Sequence, residues 1–180
     1  GWVTLVIGSV LFVTMWVWNR ASRMKREFTD YVNVHDHLPT LVSLSADQSI
    51  PKFATHAVYL TGAPVPSFIE MKVIYSIFRK RPKRADVYWF IHVNVLDAPY
   101  TTEYEVTTLI PQKAFRIDFN LGFRVEPRIN LFFRRVVEEL ARNGEVDLLS
   151  RYESLRENNI PGDFQFVVLR KELSYENALG

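Results

Sequence analysis

Five bases in six positions, Arg79-Lys80-Arg81-Pro82-Lys83-Arg84, are the densest run of charge in this 180-residue sequence. Such a run can hold phosphate oxygens, for which the arginine fork is better suited than lysine. It can equally complete the dipole of a helix end or touch anionic lipid. A second candidate is the turn Thr61-Gly62-Ala63-Pro64-Val65-Pro66-Ser67, which links a strand to a helix start. There open α/β sheets offer free backbone donors to anions, although the two prolines remove two of those donors. His35-Asp36-His37 sets two imidazoles beside a carboxylate, but histidines two apart point to one side only if extended, and a solvated polar hinge explains them better. His92 alternates with the apolar residues of its strand and is expected to be a hydrogen-bonded core histidine. Asp118 and Asp97 would make a paired-acid site only if the fold joined them, and a solvated strand face accounts for Asp118. With seven glycines there is neither a Walker-type loop nor a Gly-x-Gly-x-x-Gly turn. No motif performs catalysis by itself, so the chain is not expected to be an enzyme. Neither a cofactor nor a metal site is expected in it.

The elements that must position these residues start from an uncharged stretch, Gly1 to Asn19, that is apolar on every face. At 1.5 Å per residue it spans roughly 28 Å, the hydrocarbon thickness of a bilayer. Thr4, Ser9 and Thr14 can return their hydroxyls to carbonyls one turn back. Arg20, Arg23, Lys25 and Arg26 follow with no acid before Glu27, so the carboxyl side is expected to be cytoplasmic, with Trp16 and Trp18 at the interface. A signal peptide has the reverse order of charge and apolar core. Residues 1–20 are therefore read as a transmembrane helix, 21–54 as a juxtamembrane helix and connector, and 55–180 as a cytosolic α/β regulatory domain. The helix is expected to continue to about Val34, with Met24, Phe28 and Tyr31 along one edge, and a short amphipathic helix to start at Pro39.

Within the body, Ala57-Val58-Tyr59-Leu60 reads as a buried strand. Ser67-x-x-Glu70 reads as a capping box opening a helix through Met71 to Phe78. Asp86 to Leu96 is the strongest strand, with Val87, Trp89, Ile91, Val93 and Val95 on one face and Tyr88 and Phe90 buried on the other. Tyr104 to Ile110 and Phe115 to Leu121 alternate as two more. After Pro127, residues Ile129, Phe132, Phe133, Val136, Val137 and Leu140 form one helical stripe, with Arg134–Glu138 and Arg135–Glu139 pairs outside and Asn143-Gly144 as the stop. Residues 145–162 are read as a short strand or turn at Leu148 to Tyr152 and a turn at Pro161-Gly162, before a last strand at Phe164 to Val168. The order β-α-β-β-β-α-β gives an α/β or α+β fold with a mixed sheet.

Composition bounds the rest. There are no cysteines, which removes disulfides and thiolate metal sites and fits a reducing compartment. The net charge of +2 is uneven: outside the two basic runs, thirteen bases face 20 acids. Such a chain does not coat itself in nucleic acid. It opens inside a helix without an initiating Met, as the tail of a longer protein would.

The run Lys80 to Phe90, preceded by Ala57-Val58-Tyr59-Leu60-Thr61 and followed by Phe115 to Phe123, resembles the carboxyl-terminal portion of KUP-type bacterial potassium uptake permeases, their Gram-positive branch in particular. The likeness covers nearly the whole chain. It implies a potassium–proton symporter of the cell membrane, multi-pass in full length and dimeric, whose potassium site lies in membrane helices outside these residues. It also implies a regulatory ligand, cyclic di-AMP, that inhibits potassium uptake. Two phosphates and two purines call for bases beside flat rings: Arg79, Lys80, Arg81, Lys83 and Arg84 for charge, Tyr88 and Tyr59 for stacking, Thr61 and Gly62 for donors. The partners implied are the remainder of the transporter membrane core, a second copy and the membrane. The alternative is a dimerisation or assembly module with no ligand of its own.

Overall fold

A computed structural model of the chain describes residues 1–27, 30–79 and 81–169, with the backbone alone over 22–27. In chain order the elements are α1 (Trp2–Glu27), β1 (Tyr31–Asn33), α2 (Leu38–Ala46), β2 (Lys52–Leu60), β3 (Phe68–Glu70), α3 (Met71–Phe78), β4 (Arg84–Leu96), β5 (Thr102–Ile110), β6 (Ala114–Gly122), α4 (Ile129–Arg142), α5 (Glu153–Glu157) and β7 (Phe164–Val167). They fall into two compact units, one up to Tyr31 and one from Val32 onward.

The first unit is α1. Trp2–Ala21 is long and apolar enough to cross a membrane, and its side chains are exposed on every side. Within that stretch Ser9 and Thr14 donate their hydroxyls to the Leu5 and Val10 carbonyls at 2.8 Å, so these two hydroxyls are satisfied inside the helix. The expected continuation of the helix to Val34 does not occur: α1 ends at Glu27 and β1 is extended. Phe28 lies outside the described residues, as do the side chains of Arg23, Met24, Lys25 and Arg26.

The second unit is built on a five-stranded mixed sheet in the order β5-β6-β4-β2-β7. β2, β4, β6 and β7 run parallel and β5 is antiparallel at one edge. Val87, Trp89 and Ile91 of β4 pack with Phe115, Ile117 and Phe119 of β6 against Phe133, Val136, Val137 and Leu140 of α4. On the other face Tyr88 and Phe90 pack with Ala57 and Tyr59 of β2 against Val73, Ile74 and Ile77 of α3 and Leu41 and Leu44 of α2. The double burial expected for β4 follows from its place between two helical layers. β2 opens at Lys52 and α2 contributes to the same core, so the compact unit begins ahead of the Thr55 start read from the sequence.

Local motifs were overridden in two places. Ser67 does not cap a helix: 68–70 pair with β1, Val34 N–H donates to Ser67 O at 2.9 Å, and Glu70 precedes α3 without a side-chain cap bond. Arg134–Glu138 forms at 2.8 Å, but Glu139 takes the Tyr104 hydroxyl, which β5 brings to it, rather than Arg135. Residues 145–162, read as a short strand or turn, contain one isolated bridge, Leu149 to Pro161, and bends at 151–152, with the unexpected short helix α5 after them. Gly144, at φ +76°, ends α4 in the left-handed region as expected. Gly122 must be glycine for a different reason, since a Cβ there would run into the Ala98 carbonyl.

Candidate functional site

Register separates the sequence candidates. Lys52 lies opposite Arg84 at the start of the parallel pair β2–β4, whereas Leu60 lies opposite Ile91 near its far end. Thr61 and Gly62 follow Leu60, so about 3.3 Å per residue puts them roughly 26 Å from Arg84. The two strands are neighbours, as the sequence argument required, but their parallel direction sends the turn and the basic run to opposite ends of the sheet.

At the basic end the run divides. Lys83 is built in: its ammonium donates to Ser76 O at 2.7 Å and Ser76 Oγ at 3.2 Å, and its N–H donates to Ile77 O at 2.9 Å, closing the end of α3. Arg84 reaches back to Ser45 O at 3.3 Å and Ile50 O at 3.1 Å, where it meets the negative end of α2. Arg79 and Arg81 are exposed, and Arg81 sits at φ +56°, in a turn that carries its side chain into solvent. Lys80 lies outside the described residues. Tyr75 is 51% exposed one turn before Arg79 on α3.

Neither expected stacking ring reaches the surface. Tyr88 is fully buried, donates its hydroxyl to Lys83 O and accepts from Ala85 N–H, both at 2.9 Å, and burial pushes its pKa up to about 12. Tyr59 is fully buried against Phe90 with its hydroxyl unpaired, and burial raises its pKa further.

The far end of the sheet holds the residues that sequence reasoning missed. Arg116, 1% exposed, forks onto Asp118 at 2.7–3.1 Å and donates to Ala63 O at 2.7 Å and Phe68 O at 3.0 Å. Asp118 is thus an anchored partner rather than part of a solvated face, and nothing joins it to Asp97. Gly62 N–H donates to Glu70 at 3.3 Å, and Glu70 also pairs with Lys72 at 3.1 Å. The turn's backbone donor therefore already faces a carboxylate. His92 has its Nδ1 3.1 Å from Thr61 O, the hydrogen bond expected of it, but it is half-buried rather than in the core.

The fully buried histidine is His56. Its Nδ1 accepts from Trp89 Nε1 at 3.3 Å, its ring stacks on Phe164 at 4.2 Å, and its Nε2 is unpaired. Burial lowers its pKa to about 4, against a smaller opposing pull from Asp86 and Asp163. His35 and His37 lie in a short 3-10 turn, with His37 6.4 Å from the Phe78 ring. Among the described residues no three His, Asp or Glu side chains group as metal ligands.

Comparison with known proteins bears on the chain as a whole. The family described as "K+ potassium transporter C-terminal domain" matches residues 54–180. A probable potassium transport system protein Kup of Cytophaga hutchinsonii is 55% identical over 99% of this chain, and that of Flavobacterium johnsoniae is 51% identical over the same share. The corresponding protein of Clostridium perfringens is 39% identical over 99% of the chain. In each case the chain spans 27% of the relative's length. No solved structure matches it.

Proposed function

The chain belongs to the K+ potassium transporter C-terminal domain family, and from that premise we propose that it is the non-catalytic, cytosolic regulatory end of a potassium–proton symporter. The observation that carries this reading is a membrane-length helix with a basic carboxyl flank leading into a compact α/β unit. Residues 21–180 are cytoplasmic on this reading. Protease added outside intact cells leaves the domain whole, and cleavage from outside at the exposed Arg134 or Arg156 would contradict it.

A regulatory domain acts only if its ligand binds one transporter state better than another. The ligand proposed is cyclic di-AMP, inhibiting potassium uptake. Of the basic run, Arg79 and Arg81 are the described members turned outward, and the exposed Tyr75 offers the stacking face that buried Tyr59 and Tyr88 cannot. Calorimetric titration of the detergent-solubilised chain should show binding that weakens in an Arg79→Ala, Arg81→Ala double variant and with added salt. Unchanged affinity in that variant counts against these arginines as the phosphate ligands. No heat with the parent chain counts against the nucleotide.

A second reading, a dimerisation module, is favoured by β7. It is a four-residue edge strand of the sheet among the described residues, with Phe166 40% exposed. Sedimentation across a concentration series tests it: a monomer at every concentration speaks against assembly through this domain.

A further inference from the structure

The outer face of α3 joins exposed apolar side chains to exposed bases. Met71, Tyr75 and Arg79 follow one another at four-residue spacing along the helix, with Met71 44% and Tyr75 51% exposed. Val65 and Phe68, in the segment leading into α3, are 48% and 41% exposed, and Arg81 lies just past its end. An apolar strip ending in exposed arginines with no partner among the described residues is the composition of a surface that lies in a lipid interface, rings and thioether among the acyl boundary and guanidinium groups at the phosphates.

Chain connectivity adds an independent argument. The segment that leaves the membrane helix enters the domain beside this strip: β1 pairs with β3, and Val34 N–H bonds Ser67 O at 2.9 Å. Outside the two basic runs the chain is net acidic, so the run from Arg79 to Arg84 is the domain's densest stretch of positive charge in sequence.

The geometry points to the α3 face, with Arg79 and Arg81, as a docking surface for the anionic lipid of the bilayer that α1 crosses. The inference rests on the spanning helix and stands without the nucleotide reading. If both hold, cyclic di-AMP and lipid phosphate compete for the same two arginines.

The chain has no cysteine, so single nitroxide labels can be placed cleanly. The full chain is labelled at Met71→Cys, Val10→Cys or Arg134→Cys and reconstituted in nanodiscs of phosphatidylcholine, alone or with phosphatidylglycerol. Accessibility to oxygen and to a water-soluble nickel complex is read by power saturation. The Met71 label should shift from water to lipid when phosphatidylglycerol is present. The shift should be lost in an Arg79→Gln, Arg81→Gln background and at ~1 M salt, where charges are screened within about 3 Å. The Arg134 label should stay aqueous and the Val10 label lipid-buried throughout. A Met71 label that stays aqueous beside a lipid-buried Val10 label overturns the docking surface. Shielding that ignores lipid charge and the two arginines overturns it too, by showing that protein covers the strip. An aqueous Val10 label removes the spanning helix and the docking with it.

Discussion

Arg116 and Arg81 carry the same charge on the same domain, and their surroundings give them opposite uses. Arg116 is 1% exposed, with its guanidinium shared among Asp118, Ala63 O and Phe68 O, so it fixes the turn at the far end of the parallel strands. Arg81 stands exposed at the near end, beside the ends of α3 and β4. Lys83 and Arg84, neighbours of Arg81 in sequence, behave like Arg116: they are spent on carbonyls of α3 and of the α2 end. A dense run of charge is therefore not one site. What decides the use of each base is whether the fold leaves it a carbonyl or carboxylate to hold.

The largest test of that contrast is Arg116→Ala. It leaves Asp118 and two carbonyls without their partner at a largely buried site, which should cost about 3–5 kcal/mol of stability. Urea unfolding followed by the fluorescence of buried Trp89 measures it, and a loss under ~1 kcal/mol would show that the turn does not depend on this arginine.

Next in size is a pH effect at the buried end of β2. His56 is held neutral, with a folded pKa of about 4 against an ordinary 6.5. Its unfolded form binds a proton more readily, so stability falls as pH drops from about 6.5 towards 4, by up to about 3 kcal/mol. Asp163 acts in a lower window. Burial works to raise its pKa, but bonds from Thr55 N–H and hydroxyl hold it below the usual carboxylate value, so its contribution is lost only as pH falls under about 3.8. His56→Gln should flatten the stability profile between pH 6.5 and 4 and leave the lower limb in place. An unchanged slope in that variant would assign the acid sensitivity to other groups.

These two sites also show where sequence reading stopped. The sheet, the α4 stripe and the double burial of β4 were legible because each follows from spacing within one element, two for strands and 3.6 for the helix. The fate of Arg116 was not, since its carbonyl partners lie 48 and 53 residues away and its strand alternates as a solvated face would. His56 had one available signal: with Thr55 it interrupts the apolar run from Phe53 to Leu60, in a strand that both layers cover. The capping box at Ser67 misled because pairing with β1 uses the same backbone for a strand. The spread of the nine ligand candidates was hidden by direction, since adjacency of β2 and β4 says nothing about parallel or antiparallel until the crossover through α3 is placed.

Smaller effects separate members of the basic run. Arg84→Ala removes two charge-assisted bonds at a partly exposed site and should cost about 1–3 kcal/mol. The Arg79→Ala, Arg81→Ala double variant should stay within about 0.5 kcal/mol of the parent, because neither side chain holds the fold. A double variant as damaged as Arg84→Ala would mean that the outward arginines are structural after all.

Arginine footprinting reads the whole contrast in one measurement. The folded chain is exposed to a phenylglyoxal reagent and each arginine's modification is followed by mass spectrometry. Arg79 and Arg81 should react at the rate of the exposed Arg134, while Arg116 and Arg84 stay protected until the domain unfolds. Arg116 reacting as fast as Arg81 in the folded chain would contradict the division of charge on which this account of the domain is built.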